Sequence, residues 1–369
     1  MSEVLPDKVR SAFLSLVRAG LWERDVDDLS AFPLSAEKWK AVFAASVLQT
    51  VTGIAYRGLH HIPDNCLPPL DLMCRWAAAA ERVERNNRLM NGTLAELTGL
   101  FNKHGIWAVL QKGQGIAGMY EYPLLRECGD IDLFFPEKSD FNLACDIVGE
   151  SGSTVKRASD HACHYRWNGI SVEHHLTLFD MYNPFMQGFL SNLIERKGFT
   201  AVEIPTEDGF VSVSVASPVL TLFMLSTHIL KHTLGAGVGL RQFCDMARAC
   251  HCLHDLVDGD ELRNVFQKTG LYKWNNLLLA FLTEHLALDS AALLYECRPD
   301  KNTGKLLSFV LQTGNFGSEG YKHSNVGDAA WRHKMDTMCS FFRHGTFPMR
   351  YAASESFWIF SKLLLGQIK

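Results

Sequence analysis

The amino-acid sequence predicts an α/β protein in which a small mixed sheet is flanked by an N-terminal and a C-terminal helical region. Apolar residues recur at helical spacing over residues 5 to about 104 and again beyond residue 217, whereas short apolar runs bounded by turns lie between them. An Asn-Gly pair between two of these runs is the signature of a β-hairpin. We therefore expect a helical region over residues 1–104, a sheet-bearing core over 105–216 and a second helical region over 217–369.

Composition is that of an ordinary globular chain. The 369 residues are 47% hydrophobic, which is enough for a packed core, and the net charge of −4 comes without a long run of one sign. Net charge therefore does not indicate nucleic acid as a partner. The longest apolar region, residues 218–230, is too short to cross a bilayer and contains His228, so no membrane is implied.

Cysteine usage and the N-terminal residues favour a cytoplasmic protein. Residues 1–16 carry charges throughout, which argues against a signal peptide, and the ten cysteines are scattered through apolar contexts. We expect buried free thiols in a reducing compartment. Cys250-His251-Cys252 with His254 has the residue types of a metal site, but no second cluster accompanies it, and buried thiols with exposed histidines are favoured.

The helical regions can be divided into elements from their periodicity. Before the core, a long helix is predicted over residues 70–103; its Arg- and Glu-rich middle is typical of a scaffold helix with one solvated face, and Asn86 and Asn87 are polar candidates to line a site. After the core, helices are predicted over residues 218–234, 239–254, 259–268, 271–288 and 303–313.

Residues 107–135 combine a glycine turn with a pair of carboxylates. An apolar run over 107–111 predicts a strand, which breaks at Lys112-Gly113-Gln114 and continues as a helix to about Tyr120. Asp130 and Asp132 then lie two residues apart in an apolar frame. In a strand such residues share one face with side chains roughly 7 Å apart, so they can hold one or two divalent cations between them.

A predicted hairpin supplies further polar residues. The Asn168-Gly169 turn predicts strands over 161–167 and 170–176 and sets a register that pairs His164 with Glu173. One face of the hairpin then carries the polar residues His164, Arg166, Ser171, Glu173 and His175. This face is either a solvated outer surface or, if neighbouring strands align with the Asp130 strand, the source of a third carboxylate at Glu173.

These residues resemble a known family. The order of a strand ending in Lys-Gly, a short helix, R-x-x-G-D-I-D-L at Arg126 and V-E-H-H at Val172 is similar to the uncharacterised nucleotidyltransferases of the DNA polymerase β superfamily. The resemblance covers roughly residues 35–250. It extends to His228, Lys231 and His232, which match an H-x-x-K-H segment, and to a following R-x-x-x-D segment at Arg241 and Asp245.

The resemblance implies a nucleotidyltransferase core and a set of roles. In that superfamily a glycine turn holds the triphosphate, which implicates Lys112, Gly113 and Gln114, and acidic residues from two strands bind Mg²⁺, with Mn²⁺ as a possible substitute. The acidic residues implicated here, as metal ligands and catalytic groups, are Asp130, Asp132 and Glu173. Gln114 replaces the serine that is usual in the turn.

Two residue assignments stay open on the sequence alone. Arg126 lies four residues before Asp130, where it can contact phosphate or pair with the aspartates. His228 and His232 have the i, i+4 spacing of a metal site, but without an acidic third ligand a polar contact to the core or to substrate is favoured over zinc.

The function expected from these residues is Mg²⁺-dependent transfer of a nucleotidyl group from a nucleoside triphosphate such as ATP to an unknown acceptor hydroxyl. Two alternatives remain. The missing turn serine favours a nucleotide-binding or regulatory protein with weak or no catalysis, and a metal-dependent phosphohydrolase also uses paired aspartates.

Overall fold

Fourteen α-helices and seven β-strands lie in the part of the chain that the structure, a computed structural model, describes: residues 5–235, 237–314 and 346–364. The helices are α1 (Asp7–Trp22), α2 (Ala36–Leu48), α3 (Thr52–Gly58), α4 (Leu70–Lys103), α5 (Gln114–Ala117), α6 (Lys138–Glu150), α7 (Gln187–Lys197), α8 (Pro218–Leu234), α9 (Leu240–Leu253), α10 (Gly259–Lys268), α11 (Tyr272–Leu286), α12 (Thr303–Thr313), α13 (Thr346–Tyr351) and α14 (Ala353–Leu364). This arrangement is an α/β fold, as the sequence predicts.

The strands form one mixed sheet between the helical regions. They are β1 (Val109–Leu110), β2 (Ile131–Phe134), β3 (Lys156–Ser159), β4 (Ala162–Trp167), β5 (Ile170–His175), β6 (Phe199–Thr206) and β7 (Gly209–Ala216), in the order β3-β4-β5-β2-β1-β7-β6. β2 is parallel to β5, and β1 is parallel to β7; the other neighbours are antiparallel. β2 is therefore the central strand of the seven, and β3 and β6 are the two edge strands.

The sheet separates two hydrophobic cores. Alternate residues of β2 point to opposite faces, so Ile131 and Leu133 pack with the C-terminal half of α4 and with α6, whereas Phe134 joins the larger core formed by the N- and C-terminal helices. Asp132 shares the Phe134 face. The carboxylate is therefore placed on the side of the sheet that meets the helical regions.

The hairpin prediction is confirmed. Asn168 and Gly169 both have positive φ, as a type I′ turn requires, and the ladder pairs His164 with Glu173, Tyr165 with Val172 and Trp167 with Ile170. The long helix α4 and the helices α8, α10 and α12 have the predicted bounds.

Several elements differ from the prediction. β1 is only two residues long, because the glycine turn begins directly after it. Helix α5 is also shorter than predicted and ends at Ala117. The sequence also predicts a helix over residues 139–150 that is capped by Ser139; helix α6 instead begins at Lys138, and its N-cap residue is Glu137. Strands β3, β6 and β7 and helix α7 were not predicted. The predicted C-terminal helical region includes residues 315–345, which lie outside the described residues.

Within the described ranges, none of the helices combines the length and apolarity that crossing a bilayer requires.

Candidate metal and nucleotide site

The pairing of β2 with β5 brings two of the predicted acidic residues together. The two strands are parallel, and Asp132 lies directly opposite Glu173 in the ladder. Directly opposed residues point to the same face, so both carboxylates project toward the helical regions. The Asp132 side chain is 7% exposed and that of Glu173 is 42% exposed, which gives the pair an inner and an outer member.

Two side chains that carry nitrogen atoms, His175 and Lys112, contact the Asp132 carboxylate. His175, two residues beyond Glu173 on the same face of β5, has its Nε2 3.1 Å from Asp132 Oδ1 and 3.5 Å from Glu173 Oε2. Lys112 Nζ lies 3.2 Å from Asp132 Oδ2. One ligand atom from each of Asp132, Glu173 and His175 falls within 4.8 Å of the others, a spacing that allows a shared metal ion.

Asp130 lies one residue before β2 and adds negative charge to the same place. The Asp132 carboxylate and burial raise the pKa of Asp130 to about 6. Burial also opposes ionisation of Asp132, but Lys112 and the hydrogen bond from His175 outweigh it and lower the pKa of Asp132 below its usual range. Two carboxylates that repel one another in a half-buried setting are what a divalent cation stabilises.

The glycine turn packs against this acidic segment. Gly113 has φ 61° and ψ −117°, which a residue with a side chain rarely adopts, and a Cβ there would lie 3.5 Å from the Asp130 carbonyl oxygen. Gln114 is 3% exposed, and neither polar atom of its side-chain amide has a hydrogen-bond partner among the described residues. The turn therefore carries an unsatisfied polar group beside Lys112.

A second ionic cluster lies next to the first. Asp180, in the loop after β5, accepts hydrogen bonds from Lys231 Nζ and His228 Nδ1 of α8, both at 2.8 Å. Burial lowers the pKa of His228 to about 4, so its ring is neutral near pH 7 and donates through Nδ1. Burial would lower the pKa of Lys112, but Asp132 and then Asp180 raise it, so Lys112 lies between the two clusters.

Sequence reasoning did not identify Asp180. No local pattern marks it, since its partners are 48 and 51 residues away in the chain. The contact between the H-x-x-K-H segment and the core does match the interpretation favoured for His228 and Lys231. The His232 ring meets the His228 ring edge to face, with centroids 4.4 Å apart, and in the described part of the chain neither histidine belongs to a group of three metal-ligating side chains.

Two more polar residues of the hairpin lie on β4, one strand farther from Asp132 than Glu173 and His175. His164 is opposite Glu173 in the ladder and is half-buried. Arg166 is exposed and donates from Nη1 to the Gly169 carbonyl at 2.7 Å, within its own turn. The polar face of the hairpin is thus partly site and partly outer surface.

Arg126 has a partner that neither interpretation of the sequence named. Its Nε and Nη2 donate to Asp245 of α9 at 3.0 and 2.5 Å, and its Nη1 donates to Cys128 Sγ at 3.1 Å. Tyr120 donates to the same carboxylate at 2.7 Å. Because this guanidinium is buried and engaged on all sides, its assignment to phosphate binding is corrected to an ion pair that fixes the segment before Asp130 on α9.

A second group of metal-ligating side chains lies on the other face of β5. Cys145 Sγ is 2.8 Å from Cys163 Sγ and 3.7 Å from His174 Nδ1, and all three residues are buried. His174 Nε2 is hydrogen-bonded to the Tyr165 hydroxyl at 2.8 Å, and its ring packs 4.7 Å from that of Phe135. This group belongs to the core between the sheet, α4 and α6.

The sequence match to a family model defines the class of protein. Residues 35–287, about two thirds of the chain, match the model of a family described as uncharacterised nucleotidyltransferase. The chain belongs to this family, as the resemblance predicts, and its general activity is nucleotidyl transfer. No curated protein and no solved structure matches it.

Proposed function

We propose that the chain transfers a nucleotidyl group from a nucleoside triphosphate to an acceptor hydroxyl in a Mg²⁺-dependent reaction. The observation that carries the proposal is the β2–β5 register, which aligns Asp132 with Glu173 beside Asp130 and Lys112. The donor set fits the cation: carboxylate oxygens are the ligands Mg²⁺ prefers, and the raised pKa of Asp130 reports negative charge that a cation would relieve.

Asp130, Asp132 and Glu173 would hold the metal. When bound, Mg²⁺ or Mn²⁺ supplies positive charge at the α-phosphate and at the leaving pyrophosphate. The protein's own groups do the rest. His175 fixes the orientation of the Asp132 carboxylate through Oδ1, and the outer carboxylate of Glu173 is placed to take the proton of an acceptor hydroxyl arriving from solvent.

The triphosphate would lie along the glycine turn. Gly113 lets the backbone approach closely, the unpartnered Gln114 amide offers an N–H donor, and Lys112 offers a point charge within reach of the metal carboxylates. His228 and Lys231, held by Asp180, extend the same polar surface on the α8 side.

A double substitution tests this proposal. Wild-type protein with an α-labelled triphosphate and Mg²⁺ should release pyrophosphate and label an acceptor in a screen of small molecules, RNA and protein, and Asp130→Ala with Asp132→Ala should abolish both. Asp146→Ala with Asp208→Ala is the matched control, because it removes the same charge from exposed positions. Equal turnover in the two double variants, or release of orthophosphate in place of pyrophosphate, would contradict the proposal.

A second candidate is nucleotide binding without transfer. It is favoured by the Lys112–Asp132 ion pair, which already neutralises one of the carboxylates that a metal needs, and by Gln114 at the turn. Calorimetry that detects nucleotide binding, together with no product over long incubation, would decide for this candidate.

A further inference from the structure

A groove of about 490 Å³ opens beside the segment that leads into β2. Its walls come from three places: Phe43 on α2, Ala79 and Val83 on α4, and Cys128 next to Glu127. Arg82 and Asn86 of α4 also line it. The groove thus combines apolar walls with a few polar groups, which is the usual character of a small-molecule site.

The groove is adjacent in the chain to the candidate metal site. Glu127 precedes Asp130 by three residues, and three residues of extended chain span at most about 11 Å. Arg241 links the two places, since its Nη1 donates to the Glu127 carbonyl oxygen at 2.6 Å and its charge also acts on Asp130. A molecule whose phosphates lie at Asp130 and Lys112 can therefore reach the groove with its remaining part.

The chemistry of the lining favours a flat ring with a polar edge. The Phe43 ring and the Ala79 and Val83 side chains suit the faces of a heteroaromatic ring. The Glu127 carboxylate is held in place because its Oε1 accepts the Thr52 backbone N–H at 2.7 Å. The Thr52 side chain also hydrogen-bonds to this carboxylate, whose remaining lone pairs can accept from a ligand, and the Asn86 amide can both donate and accept.

We propose that this groove holds the nucleobase of the donor nucleotide, and that Glu127 selects bases that present N–H donors. Guanine is the best match, because its ring N–H and its amino group are adjacent donors that one carboxylate can accept together. The inference rests on the proposed function, since it takes the ligand to be a nucleoside triphosphate.

The first experiment fills the groove. Affinities of wild type for the Mg²⁺ complexes of GTP, ATP, CTP and UTP are measured by calorimetry with non-hydrolysable analogues. Ala79→Trp places an indole in the groove and should weaken all four by at least about tenfold. Ala78→Trp makes the same change at the neighbouring exposed position of α4 and should leave them within about twofold.

The second experiment changes the polar edge. Glu127→Gln keeps an oxygen for the Thr52 N–H but replaces the other acceptor by an NH₂ donor. The GTP-to-ATP affinity ratio should fall by about tenfold, because a donor then faces the donors of guanine. Circular dichroism confirms that each variant is folded.

The outcomes separate this inference from the proposed function. Suppose that Ala79→Trp loses nucleotide binding and that wild type releases no pyrophosphate. The groove assignment would then be supported, and the transfer reaction would be contradicted. Transfer that is equal in Ala79→Trp and Ala78→Trp would sink the groove assignment alone. The assignment is also overturned if wild type binds none of the four nucleotides, if Glu127→Gln leaves the ratio unchanged, or if Ala79→Trp raises only the acceptor KM.

Discussion

Glu173, His174 and His175 are consecutive on β5 and belong to two opposite environments. Glu173 and His175 face Asp132 among charged groups and are partly exposed, whereas His174 faces Cys145 and Cys163 and is fully buried among aromatic rings. Both groups have the residue types and spacing of a metal site. The difference teaches that ligand geometry alone does not define function.

The two groups differ in whether their surroundings favour charged or neutral side chains. On the Asp132 side, Lys112 and the hydrogen bond from His175 keep the Asp132 carboxylate ionised, and its charge together with burial raises the pKa of Asp130 to about 6. On the buried side, burial lowers the pKa of His174 to about 3, so the ring stays neutral and its nitrogens are used within the core. We therefore propose that the group around Asp132 receives a cation, whereas the core group serves packing.

The largest expected effect comes from removing one charge on the Asp132 side. Asp132→Asn should lower nucleotidyl transfer by about 10³-fold, equivalent to about 4 kcal/mol, because in the proposed reaction this residue would hold the metal and its charge acts on Asp130. Binding of Mn²⁺, followed by electron paramagnetic resonance, should weaken in parallel.

Cys145→Ser is the matched change on the buried side. It alters a ligand of the other group and should leave both activity and Mn²⁺ affinity within a few-fold of wild type. If Cys145→Ser removes Mn²⁺ binding and Asp132→Asn retains it, the assignment of the two groups is reversed.

The next effect contrasts the two adjacent histidines. His174→Ala should destabilise the protein by about 3 kcal/mol, because it leaves a cavity against Phe135 and removes the partner of the buried Tyr165 hydroxyl. His175→Ala should cost less than about 1 kcal/mol, because its side chain keeps 21% exposure and does not fill the core, but should lower activity about tenfold by freeing the Asp132 carboxylate.

Urea unfolding and activity per folded molecule, measured on both histidine variants, check this contrast. Equal losses of stability in the two variants would show that the faces of β5 are not as different as the burial indicates.

Local sequence patterns were sufficient for much of the candidate site. The Asn168-Gly169 turn and the alternation around it gave the register of the hairpin, and with it the face shared by Glu173 and His175. The strand periodicity placed Asp132 on one face of β2. Both inferences rest on short-range rules, in which a turn type and a period of two residues determine where side chains point.

Contacts between distant parts of the chain were not predictable in this way. Asp180 meets Lys231 across 51 residues, and Arg126 meets Asp245 across 119, so only the packing of α8 and α9 on the core reveals them. The β6–β7 hairpin did carry a local signal in its alternating residues, but Pro205 and the many exposed positions of edge strand β6 weaken it.

The smallest expected effect is a difference in pH dependence that tests the neutrality of His174. Its folded-state pKa of about 3 lies below the unfolded value of 6.5, so the unfolded chain binds a proton that the folded protein excludes. The stability that wild type has at pH 7 is therefore lost as the pH falls below 6.5, and this residue accounts for about 2 kcal/mol between pH 7 and pH 5. His174→Gln keeps a hydrogen-bonding group for Tyr165 but has no titrating ring, so that part of the loss is absent. The difference in unfolding free energy between wild type and this variant should therefore narrow by about 2 kcal/mol over this range.

Phe141→Leu is the control for a loss of packing without titration, since the Phe141 ring packs 6.4 Å from that of His174. Its difference in unfolding free energy from wild type should stay constant over the same pH range. Urea unfolding of the three proteins at pH 5, 6 and 7 measures these differences in stability. If the difference for His174→Gln is as constant as that for Phe141→Leu, His174 accepts a proton in the folded protein. The buried group would then tolerate a charge.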